Sequence, residues 1–308
     1  MDIKQLRTFI HVAETGRISL AAERLNIAQS ALTRQILALE DELQCRLFRR
    51  HGRGVDLTPE GERLRTRATI ILREVELARL DVSANPYVLE GELAFGAPTS
   101  VAGFLTGRLV EKFYDLYPRV RIRAHAGASG FVLDWLQRGL VDVGIVYDPQ
   151  SLPTIRSTPL PEEQLYLIER PSPERARSRK VRFDEVTAMK LVLPAKPQGL
   201  RQLLDGAAAA KSLQLTAAAE TDLVMVQLDL VERGLGATIL PYSSVVDAVA
   251  AGRVSARLIV SPNITRRMVI AQPVDRPGSA LVQRFSDLIV AEVEALRQAG
   301  RWGARHRD

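Results

Sequence analysis

Four polar side chains, Gln29, Ser30, Thr33 and Arg34, stand at i, i+1, i+4 and i+5, and so share one face of any helix built there. Their chemistry suits base-edge recognition. Glutamine pairs a donor with an acceptor for adenine, arginine presents a fork to guanine, and serine or threonine adds a hydroxyl, with a methyl contact from threonine. Cations follow: Arg46, Arg49, Arg50 and Arg53 fall within eight residues with no acid among them, where phosphate contacts would be wanted. The plainer reading is a solvated face on a small helical bundle, because helix-turn-helix patterns alone are common.

Other chemistry has little support. His11, His51, His125 and His306 are scattered without metal-ligand spacing. No phosphate-binding loop, dinucleotide fingerprint or nucleophile elbow occurs. Ser129 lies near His125, but Gly127-Ala128-Ser129-Gly130 lacks the nucleophile pattern and reads as a loop. The chain therefore reads as a non-enzyme with no cofactor and no metal.

The elements around the polar face are consistent with DNA reading. Residues Arg17 to Arg53 read as helix, tight turn, helix and short basic loop. Ser19 is expected to cap a helix carrying Leu20, Ala21 and Leu25, and Asn26 suits the left-handed residue that ends it. Leu32, Ile36, Leu39 and Leu43 form the apolar stripe of the next helix. Ahead of these, Leu6, Phe9, Ile10 and Ala13 make a third helix stopped by Gly16. Phe48 and Leu57 bracket an Arg- and Gly-rich hairpin, so residues 1–58 read as a winged helix-turn-helix. Thr58-Pro59 opens a long helix, since Thr caps well and Pro is favoured at the first helical position. In it Leu64, Ala68, Ile71, Val75, Ala78 and Val82 recur with coiled-coil spacing. With no globular sequence beside it, this seam is assigned to a partner chain, and residues 59–90 to a linker and dimerisation helix that Asn85-Pro86 ends, followed by a hinge.

These residues carry a family resemblance. Ala21-Ala22-Glu23-Arg24-Leu25, Gln29-Ser30-Ala31-Leu32-Thr33-Arg34-Gln35-Ile36, Leu39-Glu40, Leu47-Phe48-Arg49-Arg50 and Leu57-Thr58-Pro59-Glu60-Gly61 resemble the LysR-type transcriptional regulators, and the likeness covers essentially the whole chain. It implies that Gln29, Ser30, Thr33 and Arg34 face the major groove, and that His51-Gly52-Arg53-Gly54 reaches the adjacent minor groove or backbone. It also implies a homodimer or homotetramer on double-stranded DNA, working with RNA polymerase. One departure is Ala28, where the family usually has a Ser or Thr cap, a loss of about 1 kcal/mol. Ala-Gln at this point is similar to the nitrogen-assimilation-control branch.

Composition sets outer bounds. The 308 residues suffice for two or three domains, and hydrophobic (46%) and charged (25%) contents are ordinary for globular proteins. Net charge of +6 permits nucleic-acid binding without requiring it. The single cysteine, Cys45, excludes an intramolecular disulfide and reads as a small buried group, a redox switch being the alternative. No stretch is long and apolar enough to span a bilayer, and the first residues lack a signal pattern. A cytoplasmic location without membrane contact is expected.

From Gly91 the texture changes to short apolar runs alternating with helical patterns. Leu93–Phe95, Val120–Ile122 and Val141–Val146 read as strands, with helices Ser100–Tyr117 and Phe131–Arg138 between them, which implies a parallel sheet. A second set follows: strands at Leu165–Ile168, Leu191–Leu193, Leu215–Ala219 and Thr238–Leu240, helices Leu200–Lys211 and Leu223–Arg233. Strand Met268–Ile270 and helix Ala280–Arg297 finish the chain. The run Glu174–Arg182 reads as a solvated loop and the tail from Arg301 as frayed.

With the family likeness, this implies an α/β, two-lobed, type-2 periplasmic-binding-protein-like effector domain over 91–308. Lobe I is about 91–161 and 266–308, lobe II about 162–265. Thr99 and Ser100, with Ala128 and Ser129, follow strand ends where helix amides favour an anion. Gln198 and Thr221, with Lys196 and Glu220, hold equivalent places in the other lobe. The family's effectors bind between lobes at positions matching these, although each residue also reads as an ordinary cap or turn. The expected protein is a sequence-specific DNA-binding transcriptional regulator whose C-terminal domain senses a small anionic effector. An effector-independent regulator of the same family is the alternative, and a small-molecule binding protein without DNA function is another. Operator, effector identity, activation against repression, and dimer against tetramer are not encoded in any motif.

Overall fold

The computed structural model describes residues 1–52, 54–83, 89–147, 152–172, 178–274 and 279–302. Two compact units emerge, one holding residues 1–91 and the other nearly all the rest.

In the first unit, α1 (Ile3–Thr15) starts at a capping box in which Asp2 and Gln5 each accept from the other's amide, and ends at left-handed Gly16. Helix α2 (Ile18–Leu25) closes at Asn26, whose φ of 51° is the left-handed conformation read from its identity. Ser19 is not the cap: Arg17 is the last extended residue, so the helix begins two positions earlier and Ser19 lies in its first turn. Helix α3 (Gln29–Glu42) starts at Ala28 with no side-chain cap. Leu6, Phe9, Val12, Ala21, Leu32, Ile36, Leu39 and Leu47 form the core of the three helices.

The hairpin β1 (Phe48–His51) and β2 (Gly54–Leu57) pairs Phe48 with Leu57 and His51 with Gly54. Phe48 packs on Phe9 with ring centroids 5.2 Å apart, so the wing is seated on the helical core. Helix α4 (Pro59–Ser83) is capped by Thr58, whose hydroxyl accepts from the Gly61 amide at 2.9 Å and donates to the Arg46 carbonyl at 2.7 Å. A side chain at Gly61 would meet the Leu47 carbonyl oxygen 2.2 Å away, so only glycine lets α4 lie this close to the wing.

The first half of α4 corrects the seam reading. Ala68 is fully buried, and Leu64, Ile71 and Leu72 pack with it on the chain's own helical core. Three-helix domains this small leave an apolar side open, and α4 closes it. Beyond that, Val75 is half-buried and Ala78 exposed, while the side chain of Val82 lies outside the described residues.

The second unit begins within β3 (Gly91–Pro98), followed by a continuous helical run made of α5 (Thr99–Val101), a π turn (Ala102–Thr106) and α6 (Gly107–Leu116). Strand β4 (Val120–Gly127), α7 (Ser129–Gln137) and β5 (Val143–Tyr147) complete the first lobe's leading half. Strand β6 (Ile155–Glu169) crosses into the second lobe. There β7 (Lys180–Arg182), α8 (Phe183–Thr187), β8 (Leu191–Leu193), α9 (Gly199–Ala209), β9 (Ala217–Glu220) and α10 (Val224–Glu232) follow. Next come β10 (Ala237–Pro241), a 3₁₀ turn (Tyr242–Ser244), α11 (Val246–Ala250) and β11 (Ser255–Val260). Strand β12 (Thr265–Pro273) returns to the first lobe, and α12 (Ala280–Gln298) covers it.

Strand order is β4-β3-β5-β12-β6-β10-β8-β9, with β11 pairing β6 and β7. The sheet is mixed rather than parallel. Pairs β3–β5, β8–β10 and β8–β9 are parallel as the alternating pattern implies, but the two crossover strands are antiparallel to each other, from Thr265↔Gln164 to Pro273↔Ile155. One chain leaving and re-entering a lobe along adjacent strands must run both ways. Each lobe keeps its own core: Leu165, Leu167, Phe183, Leu191, Leu193 and Ile239 in one, Ala94, Val132, Leu136, Val146 and Ala271 in the other.

Two loop readings are corrected. Lys180–Arg182, read as solvated, is β7, because Val181 is buried and its backbone pairs with β11; residues 173–177 of the same run lie outside the described residues. The tail is not frayed at its start. Trp302 is 2% exposed, donates its indole N–H to the Pro161 carbonyl at 3.2 Å and meets Phe104 edge-on, while Arg301 pairs with Asp247 at 2.5 Å. A large apolar ring at the junction of the lobes outweighs the polar residues around it.

Candidate nucleic-acid interface and effector cleft

Gln29, Ser30 and Arg34 are exposed at the start of α3, and Thr33 is half-buried beside them. The Thr33 hydroxyl donates to the Gln29 carbonyl at 2.9 Å. One groove is lined by Arg17, Ser19, Gln29, Arg50, His51 and Gly52, and a neighbouring one by Ile18, Thr33, Leu37, Arg46, Phe48 and Arg50. The recognition face and the wing cation Arg50 therefore border the same surface. Arg34 lines a different groove, with Asp2, Lys4 and Gln5 of the α1 end. Arg53 lies outside the described residues. Arg17 and Ser19 were not singled out as site residues, since neither carries a distinctive spacing.

Arg46 is not a free cation. It donates to the Glu40 carboxylate at 2.8 Å, and the same carboxylate accepts from the Leu47 amide at 2.7 Å and the Phe48 amide at 3.2 Å. Glu40 is buried on α3, so this contact ties the end of that helix to the root of the wing. Burial works to raise its pKa, but the bonds from Arg46, Leu47 and Phe48 outweigh that and hold it below the usual glutamate range.

In the second unit, Tyr147 gathers part of the expected cleft. Its amide donates to the Ser129 hydroxyl at 3.0 Å and its phenol oxygen lies 3.4 Å from the Ser100 hydroxyl. The phenol donates to Glu163 at 2.7 Å, Ser243 donates to the other oxygen of Glu163, and the Arg266 guanidinium lies 3.4 Å over the Tyr147 ring. Burial, and then the Glu163 charge, push the phenol well above its usual range, so it stays a donor. Burial also raises Glu163, against the pull of Ser243, Tyr147 and Arg266. Thr99 opens the helical run beside Ser100, and the Ala128 carbonyl accepts from Phe131 and Val132 at the start of α7.

The lobe II candidates sit in a separate cluster. Gln198 caps α9, accepting from Leu200 at 2.9 Å and Arg201 at 3.4 Å. Thr221 donates its amide to the Leu193 carbonyl, and buried Arg201 joins Glu220, Asp205 and the Pro194 carbonyl. Both readings of these residues, as caps and as cleft lining, are compatible with the same positions. His125, 5.7 Å from the Trp135 ring, and Ser129, committed to the Tyr147 amide, give no nucleophile pair. Among the described residues no group of three or more His, Cys, Asp or Glu could hold a metal ion.

The sequence matches the family descriptions "Bacterial regulatory helix-turn-helix protein, lysR family" over residues 3–62 and "LysR substrate binding domain" over residues 88–294. The chain belongs to the LysR family. Among curated relatives, it is 30% identical to the nitrogen assimilation regulatory protein nac of Klebsiella aerogenes over 79% of each chain. The Escherichia coli K12 protein of that name is 26% identical over 96% of each. These names support the nitrogen-assimilation-control branch suggested by Ala28-Gln29, and those relatives are transcriptional regulators rather than enzymes. Among solved structures, a full-length OxyR variant from Pseudomonas aeruginosa has a TM-score of 0.73 at 23% identity, covering 94% of this chain and 97% of that one. Full-length CbnR complexed with its target DNA has a TM-score of 0.71 at 21% identity, covering 95% and 100%. This LysR-family chain thus shares its whole architecture with full-length members, an N-terminal helix-turn-helix followed by a two-lobed effector-binding domain. Among its described residues no helix is long and apolar enough to cross a membrane.

Proposed function

We propose that this LysR-family regulator acts in the cytoplasm as a homodimer or homotetramer, controlling promoters by sequence-specific binding. Gln29, Ser30, Thr33 and Arg34 read bases, and Arg50 and Arg53 hold phosphates. The observation that carries this is the shared surface on which Gln29 and Thr33 of α3 meet Arg50 of the wing. A helix N-terminus in the major groove beside a cationic wing has that layout. Double-stranded DNA and RNA polymerase are the macromolecular partners. Arg34→Ala should weaken binding to the operator by about 1–3 kcal/mol, roughly 5- to 150-fold, and relax preference at one base per half-site. An unchanged affinity and base preference would remove Arg34 from the interface.

The C-terminal domain senses a small anionic effector between its lobes, held by Thr99, Ser100, Ala128 and Ser129 from one side and Gln198 and Thr221 from the other. What supports this is the pair of helix starts, α5 and α7, with Ser100 and Ser129 gathered around Tyr147. A carboxylate metabolite that binds the folded form alone stabilises it by about 2.7 kcal/mol at a hundredfold excess over Kd. It should raise the melting temperature of the full-length chain, and Thr99→Val with Ser100→Ala should abolish the rise. A shift that survives the double substitution places the site elsewhere. No shift with any of a panel of small carboxylates favours regulation without an effector.

A further inference from the structure

We propose that Glu163 is a built-in anion, filling a carboxylate-binding site that both lobes assemble at their junction. The donors come from different parts of the fold. Tyr147 closes β5 in the first lobe, Ser243 sits in the 3₁₀ turn after β10 in the second, and Arg266 opens the returning strand β12. Glu163 lies on the outgoing strand β6, directly across the ladder from Arg266. Tyr147 and Ser243 donate one hydrogen bond each to its two oxygens, and Arg266 supplies the positive field while covering the Tyr147 ring. Glu163 is 0% exposed, Ser243 1%, and Tyr147 and Arg266 6% each, so this charge is held entirely by protein groups.

Two hydroxyl donors and a guanidinium around one carboxylate form the donor set that a free small carboxylate would need. Here the chain supplies the anion itself, and one side chain joins the two lobes and both crossover strands. The lobes are linked in the free protein as a bound anion would link them. Tyr147 also borders Ser100 and Ser129 of the effector site, but Glu163, Ser243 and Arg266 are not assigned to the effector, and the inference holds whether or not the cleft takes one. A buried carboxylate is costly unless paired and hydrogen-bonded, which makes the site sensitive to loss of the charge alone.

The test is chemical rescue in the full-length chain. Glu163→Ala removes the atoms of one acetate and leaves Tyr147, Ser243 and Arg266 in place. The variant should melt below wild type, and sodium acetate should raise its melting temperature progressively. Sodium chloride at equal ionic strength should not, and wild type should respond alike to both salts. Adding Ser243→Ala should diminish the rescue. Equal acetate effects on variant and wild type, or none on either, overturn the proposal. Should Glu163→Ala not fold, Glu163→Asp and Glu163→Gln decide: a bound-anion role requires Asp, which keeps the charge, to be the more stable, whereas a shape-filling role makes Gln, which keeps the size, the more stable and overturns it.

Discussion

Glu40→Ala is expected to destabilise the N-terminal unit by about 3 kcal/mol, because it strands the buried Leu47 and Phe48 amides that now donate to the carboxylate. For a unit of this size that lowers its melting temperature by roughly 12–24 °C. The exposed Arg46 partner contributes little to that figure, since an ion pair open to water is screened. The pH dependence has a definite sign. Glu40 is held below its usual value of 4.5, so its stabilisation is complete above that value and is lost as pH falls through the lowered folded-state value. Hydrogen exchange should show Leu47 and Phe48 amides protected in wild type and fast in the variant. DNA affinity should fall too, since Arg49 and Arg50 follow directly in β1. Unchanged protection of both amides would mean that the carboxylate does not hold the wing.

Val75→Asp with Ala78→Asp is expected to abolish dimerisation while leaving the N-terminal unit folded. Leu64, Ala68, Ile71 and Leu72 are taken up by the chain's own core, whereas Val75 and Ala78 lie past it, one half-buried and one exposed. Like charges facing each other across a two-fold apolar seam are unfavourable at short range. Losing the second DNA-binding unit removes an avidity gain of about 10²–10⁴-fold on a two-half-site operator. Sedimentation should report a monomer, and binding to a single half-site should change little. A dimer that persists in the variant would put the subunit interface elsewhere.

What was legible in the sequence depended on how local the signal was. Asn26 announced a left-handed cap, Thr58-Pro59 a helix start, and the stripe Leu32, Ile36, Leu39 a buried helix face, all within a few residues. The polar face of α3 was legible for the same reason. The burial of Ala68 was not, because a seam spaced for a partner chain is spaced equally well for the chain's own core. Trp302 was misjudged from the charged residues beside it, although a tryptophan at a terminus is itself a reason to expect docking. In the second unit, the strands were readable one by one, but the antiparallel crossover pairing of β6 with β12 joins residues about a hundred apart in sequence. The Tyr147–Glu163–Ser243–Arg266 cluster depends on that pairing, and no spacing announces it. Glu163 carries no distinctive spacing or motif in the sequence. Its role follows only from what the register places across from it.

The central claim is that the α3 face and the wing read DNA as a two-fold pair, and selection of duplexes by the full-length chain tests it most directly. Wild-type protein incubated with a random duplex library should enrich two related half-sites in fixed spacing. Arg34→Ala, carried through the same selection, should lose preference at one symmetric position in each half-site and keep the rest. Enrichment of no sequence, or an identical motif from both proteins, would contradict the account.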